Sequence, residues 1–346
     1  MADKRFRDDC GVRGGIHFGN QGQSMWIASI SYGIIFAIPV AAESPVKKDG
    51  AETALIINSL GMKLLPIHKG EFLMGSDELP SEKPIHKVRI TKDFYLASHP
   101  VTVAEFREFV KDSGHKTEAE ANGKGALGFD AEAKWIAVKP EYTWKKPGFD
   151  QGDDHPVVCI SWSDAMAFCK WLSKKEGKTY RLPTEAEFEY ACRAGTTTRF
   201  SSGEEDESLK EVANLADGAL QKRARENLTA YNAAPKGNKS GGIAAWDDGY
   251  AFTSPVGKFK PNPWGLYDMH GNVWQWCANW SVRYTEGPQD DTTGLEAATT
   301  GRVIRGGTWF IGPLRCRSAN RVQRDPTQSF CFVGFRVALA PEAEKK

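Results

Sequence analysis

The sequence predicts a single α+β domain, irregular and rich in loops, and three observations predict it. The first is the density of Gly, Asn and Trp in Gly265-Leu-Tyr-Asp-Met-His-Gly-Asn-Val-Trp-Gln-Trp276 and in Arg305-Gly-Gly-Thr-Trp309. Such residues are poor material for a helix or a long strand. They suit a core in which loops fold on aromatic anchors and bound ions take the place of regular hydrogen-bond ladders. The second is a small set of short helices and strands upstream, each with its own start or stop signal. The third is residues 196–262, rich in Gly, Asn, Asp and Ala with few periodic apolar runs. A loop region that long is uncommon unless a ligand or ion pins it.

The elements follow in chain order. Residues 1–24 are polar and mixed in charge, and residues 25–42 are apolar and end in small residues. Val40 and Ala42 suit the −3 and −1 positions of a signal-peptidase site. The run is short for a membrane span and contains Pro39. Residues 1–42 are therefore expected to be a leader for export, to a periplasmic or extracellular location, or an uncleaved membrane anchor. Met25 is an alternative start. Residues 43–57 are charged and read as a linker, and the domain spans 58–342. Gly70–Gly75 and Lys87–Thr91 alternate in polarity and read as strands, with an acidic, Pro-bounded loop at 76–84. Thr102-Val-Ala-Glu105, Ser161-Trp-Ser-Asp164 and Thr184-Glu-Ala-Glu187 are box-like helix starts, in which a hydroxyl and a later carboxylate satisfy free N–H groups reciprocally. Their apolar stripes hold Phe106, Phe109 and Val110; Ala165, Phe168, Cys169 and Leu172; Phe188 and Ala191. Glu185, Glu187 and Glu189 read as caps and a solvated helix face rather than acid–base groups. No internal repeat or break is visible between Asn58 and Ala340.

Composition excludes several functions. With 45 Lys and Arg against 44 Asp and Glu the net charge is +1, which gives bulk electrostatics no hold on nucleic acid. The one basic cluster, Lys222-Arg223-Ala-Arg225, reads as a solvated loop. The seven cysteines include no C-x-x-C pair, which argues against a zinc or iron–sulfur site built on cysteine. Loss of the leader removes Cys10 and leaves six, an even number suited to disulfides in an oxidising compartment. The histidines show no ligand spacing, His155 and His270 read as turn residues, and no Gly-x-Ser-x-Gly elbow supports a hydrolase. Of Trp264, Trp274, Trp276, Trp280 and Trp309, most are expected in the core and a minority along a peptide or glycan groove.

The order and spacing of Arg181-Leu-Pro-Thr-Glu-Ala-Glu187, Gly265–Trp276, Arg305–Trp309 and Gly334-Phe-Arg336 resemble the formylglycine-generating enzyme family, also called sulfatase-modifying factors. The resemblance runs from about Asn58 to Ala340. It implies an irregular fold distantly like C-type lectins, and two structural calcium sites. Calcium takes six to eight oxygens from carboxylates, amides and carbonyls in flexible geometry. The first site maps onto Asn214, Leu215, Asp248 and Tyr250, and the second onto Asp268, Gly271, Val273 and Gln275. At the second the family has Asn and Glu where this chain has Asp268 and Gln275. The bland reading is that Asp268 and Asn272 cap a turn.

The resemblance also implies chemistry. The family's oxidases convert a substrate cysteine of a sulfatase to formylglycine with copper and O₂. They hold the metal on two cysteines five residues apart, just after the Gly-Gly-Ser motif, and thiolates suit soft Cu(I). Counting from Gly306-Gly307, the first position is Ile311, which cannot ligate a metal, and the second is Cys316. Arg321, Pro326 and Gly334-Phe-Arg336 match the downstream pattern only if about three residues are missing, which moves Cys316 elsewhere in the fold. The copper pair is therefore incomplete. Cys316 is the candidate catalytic thiol, or else a structural cysteine, buried or paired with one such as Cys192. The family's bridges join cysteines equivalent to Cys169 and Cys192 with positions that are Val337 and Ser318 here. Two functions remain: an exported oxidase acting on a protein or peptide such as a sulfatase, or a non-catalytic member that binds a peptide, glycan or protein in the same cleft.

Overall fold

The computed structural model describes residues 54–130, 135–226, 242–291 and 301–340. The expected leader, and Cys10 with it, lies outside the described residues. The first strand, β1 (Ile56–Ile57), pairs antiparallel with β2 (Lys63–Ile67), so regular structure begins two residues before the expected boundary. The expected strands at Gly70 and Lys87 form as an antiparallel pair, β3 (Gly70–Met74) and β4 (His86–Ile90). β4 buries His86, Val88 and Ile90 and exposes Lys87 and Arg89, the alternation a half-buried strand requires. β5 (Phe94–Ala97) returns antiparallel to β2.

The three boxed helix starts all form. α1 (Val103–Ser113) is capped by Thr102: the Glu105 N–H donates to Thr102 Oγ1 at 3.2 Å, and the Thr102 N–H donates to Glu105 Oε2 at 2.8 Å. It ends at Gly114, whose φ of 67° carries the left-handed cap. A fourth box, not anticipated, starts the single turn α2 (Glu118–Ala121) on Thr117 and Glu120. A hairpin of β6 (Ala126–Asp130) and β7 (Trp135–Lys139) follows. Next comes α3 (Trp162–Glu176), boxed by Ser161 and Asp164. α1 and α3 meet through Phe106, Phe109 and Phe168, and both Phe106 and Phe168 pack edge-on against Phe335. β8 (Tyr180–Arg181) leads to α4 (Glu185–Arg193), boxed by Thr184 and Glu187.

Downstream, α5 (Gly218–Glu226) interrupts what the sequence presents as loop, and it carries Lys222 and Arg223 on an exposed helical surface. The reading of that cluster as a loop is corrected: the helix starts from Asp217, whose carboxylate accepts the Ala219 N–H at 2.9 Å, a start signal hidden by the neighbouring glycine. β9 (Trp274–Trp280), β10 (Gln289–Asp290), β11 (Arg302–Arg305), β12 (Arg321–Arg324), β13 (Val333–Gly334) and β14 (Ala338–Leu339) complete the chain.

The strands make a five-stranded sheet of order β1-β2-β5-β14-β8, a three-stranded sheet β10-β4-β3, a four-stranded sheet β12-β11-β9-β13 and the hairpin β6-β7. β14 sits antiparallel between β5 and β8, so the last strand closes onto the first third of the domain. The described residues belong to one compact unit. The solvated helix face expected for α4 is overturned. Glu185, Glu187 and Glu189 are 4, 2 and 0 % exposed. Glu187 caps its helix and pairs with Arg181. Glu185 takes Arg305 and Arg321, and Glu189 takes Arg193 and Arg305. Buried carboxylates survive only with such partners, and the partners lie 120 residues or more downstream of Glu185, beyond any local pattern.

Candidate functional site: the Gly-Asn turn and its neighbours

The centre of the site is the turn from Asp268 to Val273, where Asp268, Gly271 and Asn272 all have positive φ (53°, 77° and 59°). A Cβ on Gly271 would lie 2.1 Å from the Asn214 carbonyl oxygen, so only glycine allows the two segments to bridge. Asn272 is the hub. Its N–H donates to the Asn214 carbonyl at 2.7 Å, and its own carbonyl accepts from the Trp309 N–H at 3.0 Å and from Thr308 Oγ1 at 3.2 Å. Its side chain accepts from the Ser254 N–H at 3.1 Å and donates to the Ser254 carbonyl at 3.2 Å and Asp268 Oδ1 at 3.1 Å. One fully buried amide thus joins three loops that share no regular structure. Sequence reasoning saw only a turn cap at this position; the Gly-Asn pair was the available signal, and its partners were not.

The first expected calcium set comes together. The Leu215 N–H donates to Asp248 Oδ2 at 3.2 Å, the Tyr250 N–H to Asp248 Oδ1 at 2.8 Å, and Asn214 Nδ2 to the Phe252 carbonyl at 2.8 Å. The turn adds a residue that sequence reasoning missed: the Asp217 carboxylate accepts the Asp248 backbone N–H. Burial and the charge of Asp217 push the Asp248 carboxyl up to about 7, and burial raises Asp217 as well. Asn214 Oδ1 is buried without a hydrogen-bond partner. Two carboxyls with pKa raised by burial and an orphaned amide oxygen are the donor chemistry a hard divalent cation satisfies. Asn214, Asp248 and Asp217, with the carbonyls of Leu215 and Tyr250, would hold it. Bound there, it would supply positive charge that pins the loop.

The second set differs. Asp268 Oδ2 accepts the Gly257 N–H at 2.8 Å, and Gln275 Nε2 donates to the Asp268 carbonyl at 2.8 Å. Gln275 Oε1 accepts Arg336 Nε at 2.6 Å, while Arg336 Nη2 reaches the carbonyls of Tyr267 at 2.7 Å and Asp268 at 3.1 Å. Arg336 is fully buried, and burial lowers its pKa to about 10. The chain's own guanidinium therefore takes the Gln275 side-chain oxygen and the Asp268 carbonyl, and the Asp268 carboxylate accepts the Gly257 N–H. Burial raises the Asp268 carboxyl, and Arg336 rather than a second carboxylate stands beside it.

The Gly-Gly motif lies against the same turn. The Gly271 N–H donates to the Gly306 carbonyl at 2.7 Å, and the Ala216 N–H to the Ile311 carbonyl at 3.0 Å. Ile311 is 8 % exposed and packs in the main core, as does Trp309. Cys316 is fully buried, and burial pushes its thiol up to about 12. A Cβ on Gly307 would lie 2.5 Å from Cys316 Sγ, so the sulfur is packed against backbone. Its carbonyl accepts His270 Nδ1 at 2.7 Å, while His270 Nε2 accepts the Ser201 N–H at 3.1 Å. Burial holds His270 neutral, with its pKa down to about 4. The six described cysteines are free thiols, and a Cys192–Cys316 bridge is not formed. Burial pushes the Cys192 thiol up to about 12, and the Ser318 hydroxyl offsets it only in part. Of the five tryptophans expected mostly in the core, Trp274, Trp276 and Trp309 are buried and Trp264 and Trp280 are half-buried.

With this geometry, the comparisons are specific. The sulfatase-modifying factor enzyme 1-like domain matches residues 59–341. The chain belongs to that family. It is 34% identical to the formylglycine-generating enzyme of Streptomyces coelicolor, over 86% of this chain and 96% of the relative. It is also 30% identical to the inactive C-alpha-formylglycine-generating enzyme 2 of Bos taurus, over 81% of this chain and 89% of the relative. Among solved structures it is similar to PvdO from Pseudomonas aeruginosa, with a TM-score of 0.65 and 30% identity, covering 83% of this chain and 98% of that one.

Proposed function

We propose that this chain is a non-catalytic sulfatase-modifying-factor family protein that binds a peptide or protein segment on the family scaffold. Its partner class would be an exported protein such as a sulfatase. The observation that carries the reading is the state of the two thiol positions. Ile311 supplies a hydrocarbon where the family's oxidases hold copper, and Cys316 is buried with its thiol far from ionisation. Thiolates are the ligands and nucleophiles, and a buried neutral thiol is neither. Relatives named as inactive formylglycine-generating enzymes support a family that keeps the scaffold without the oxidase chemistry.

The reading includes a structural calcium ion held by Asn214, Leu215, Asp248 and Tyr250 with Asp217. It also includes export directed by residues 25–42, which N-terminal mass spectrometry of the native protein tests by a start near Glu43. The activity test is direct. The protein is incubated with a sulfatase-type Cys-x-Pro-x-Arg peptide, copper and a reductant in air, and the peptide mass is followed. No thiol-to-aldehyde mass loss is expected, and Ile311→Cys alone is not expected to introduce it, because Cys316 stays buried. Binding without conversion, read by peptide titration, supports the proposal. Copper-dependent aldehyde formation by the unaltered protein overturns it.

A further inference from the structure

A cavity of about 860 Å³ opens between the Pro80–Lys83 turn, the segment after β9 and strand β12. It lies within the size range of small-molecule sites. Its lining has two parts. Lys83, Arg283 and Arg321 bring three cations, and Pro80, Val282 and Val322 form an apolar wall beside the Tyr284 ring. Among the described residues, no carboxylate is in its lining. Lys83 reaches Asp77 at 3.6 Å, but both side chains are about half exposed or more, so that pair holds the ammonium weakly.

A further arginine network stands behind the wall. Arg321 donates through Nε and Nη2 to Glu185 at 2.6 and 2.8 Å, and turns Nη1 to the Val282 carbonyl at 2.8 Å, on the cavity wall. Its guanidinium lies 4.2 Å from the Tyr284 ring centroid. Glu185 also binds Arg305, and Arg305 and Arg193 share Glu189. Arg193, Arg305 and Arg321 share Glu185 and Glu189 in one connected buried network, and the adjoining turn sets Glu82 and Glu78 against Arg317. Burial pushes the Tyr284 phenol well above its usual range, so the ring adds no negative charge to the wall. Lys83 and Arg283 are exposed at the rim, where they can meet an anion that enters the cavity.

We infer that this cavity is a binding site for a small amphipathic organic anion, a carboxylate or a phosphate monoester, with its charge at Lys83 and Arg283 and its apolar body along Val282, Tyr284 and Val322. The inference is independent of the calcium loop and of the state of Cys316. Calorimetric titration of the full chain, with calcium present throughout, tests it with 1-naphthyl phosphate, 1-naphthoate, uncharged 1-naphthol and inorganic phosphate. Saturable binding of at least one naphthyl anion is expected, at least tenfold tighter than naphthol or inorganic phosphate. The double variant Lys83→Gln/Arg283→Gln should weaken it at least tenfold with an unchanged melting temperature, since both side chains are exposed. Gln323→Glu, which sets a carboxylate in the lining, should weaken it too. The comparison of phosphate with carboxylate identifies the preferred head group. No saturable binding of either anion, equal binding of naphthol, or undiminished binding by these variants overturns the inference.

Discussion

At the scale of single residues, the backbone closes tightly over Cys316. Gly307 has a φ of 85° and its missing Cβ leaves the room that the sulfur fills. A methyl group there meets two costs at once, a left-handed backbone that side chains disfavour and a collision inside a packed core. Gly307→Ala is therefore expected to lower stability by about 1–3 kcal/mol, read from denaturant unfolding. Wild-type stability in that variant would show that the sulfur has free space beside it. The same closeness shows what spacing leaves out. Counting from Gly306 identifies Cys316 as a ligand position, but spacing is blind to the direction in which the chain leaves Ile311. In the fold it turns through Pro313–Arg315 and carries Cys316 inward.

At the scale of elements, helices and loops were legible to different degrees. α1, α3 and α4 could be read because a capping box is a local contract: the hydroxyl and the carboxylate sit three residues apart and satisfy each other's backbone. The Asp248 loop was legible only in part. Asn214, Leu215, Asp248 and Tyr250 followed from resemblance, but Asp217 did not, because its bond to the Asp248 N–H joins positions 31 residues apart. The calcium proposal makes its prediction here. A ligand that binds only the folded state stabilises it by about 2.7 kcal/mol at 100 times its dissociation constant. Chelation should then lower the melting temperature, Asp248→Ala should remove much of that response, and Asp268→Asn should leave most of it in place because Arg336 already serves that turn. An unmoved melting curve on chelation, with no calcium in the purified protein, would sink the assignment.

At the scale of the molecule, α4 is where the sheets and the motifs are tied together. Burial would raise the Glu185 carboxyl, but Arg321 and Arg305 more than offset it and hold the pKa at about 2 against an ordinary 4.5. A carboxylate depressed on folding contributes stability that is full above its unfolded pKa and is lost as pH falls through the folded one. Stability should therefore fall between pH of about 4.5 and about 2, and Glu185→Gln should flatten that limb. At neutral pH the same variant leaves Arg305 and Arg321 buried with one partner fewer. It should cost about 3–5 kcal/mol, the penalty of breaking a buried pair from one side. Urea unfolding at several pH values reads both effects, and an unchanged acid limb in the variant would contradict the assignment.

The sequence by itself determined the fold class, the boxed helices, the first strands and the family, because each rests on local chemistry or on motif order. It also determined that Ile311 cannot hold a metal, which is a property of the residue alone. Tertiary structure decided the rest. It turned the supposed solvated glutamates of α4 into buried ion partners, made Asn272 the hub of three loops, brought Asp217 to Asp248, and filled the turn at Asp268 with Arg336. Each of these is a contact between segments far apart in the chain. Their energies come from burial and charge pairing in a low-dielectric interior, and the folded chain alone defines which groups meet there.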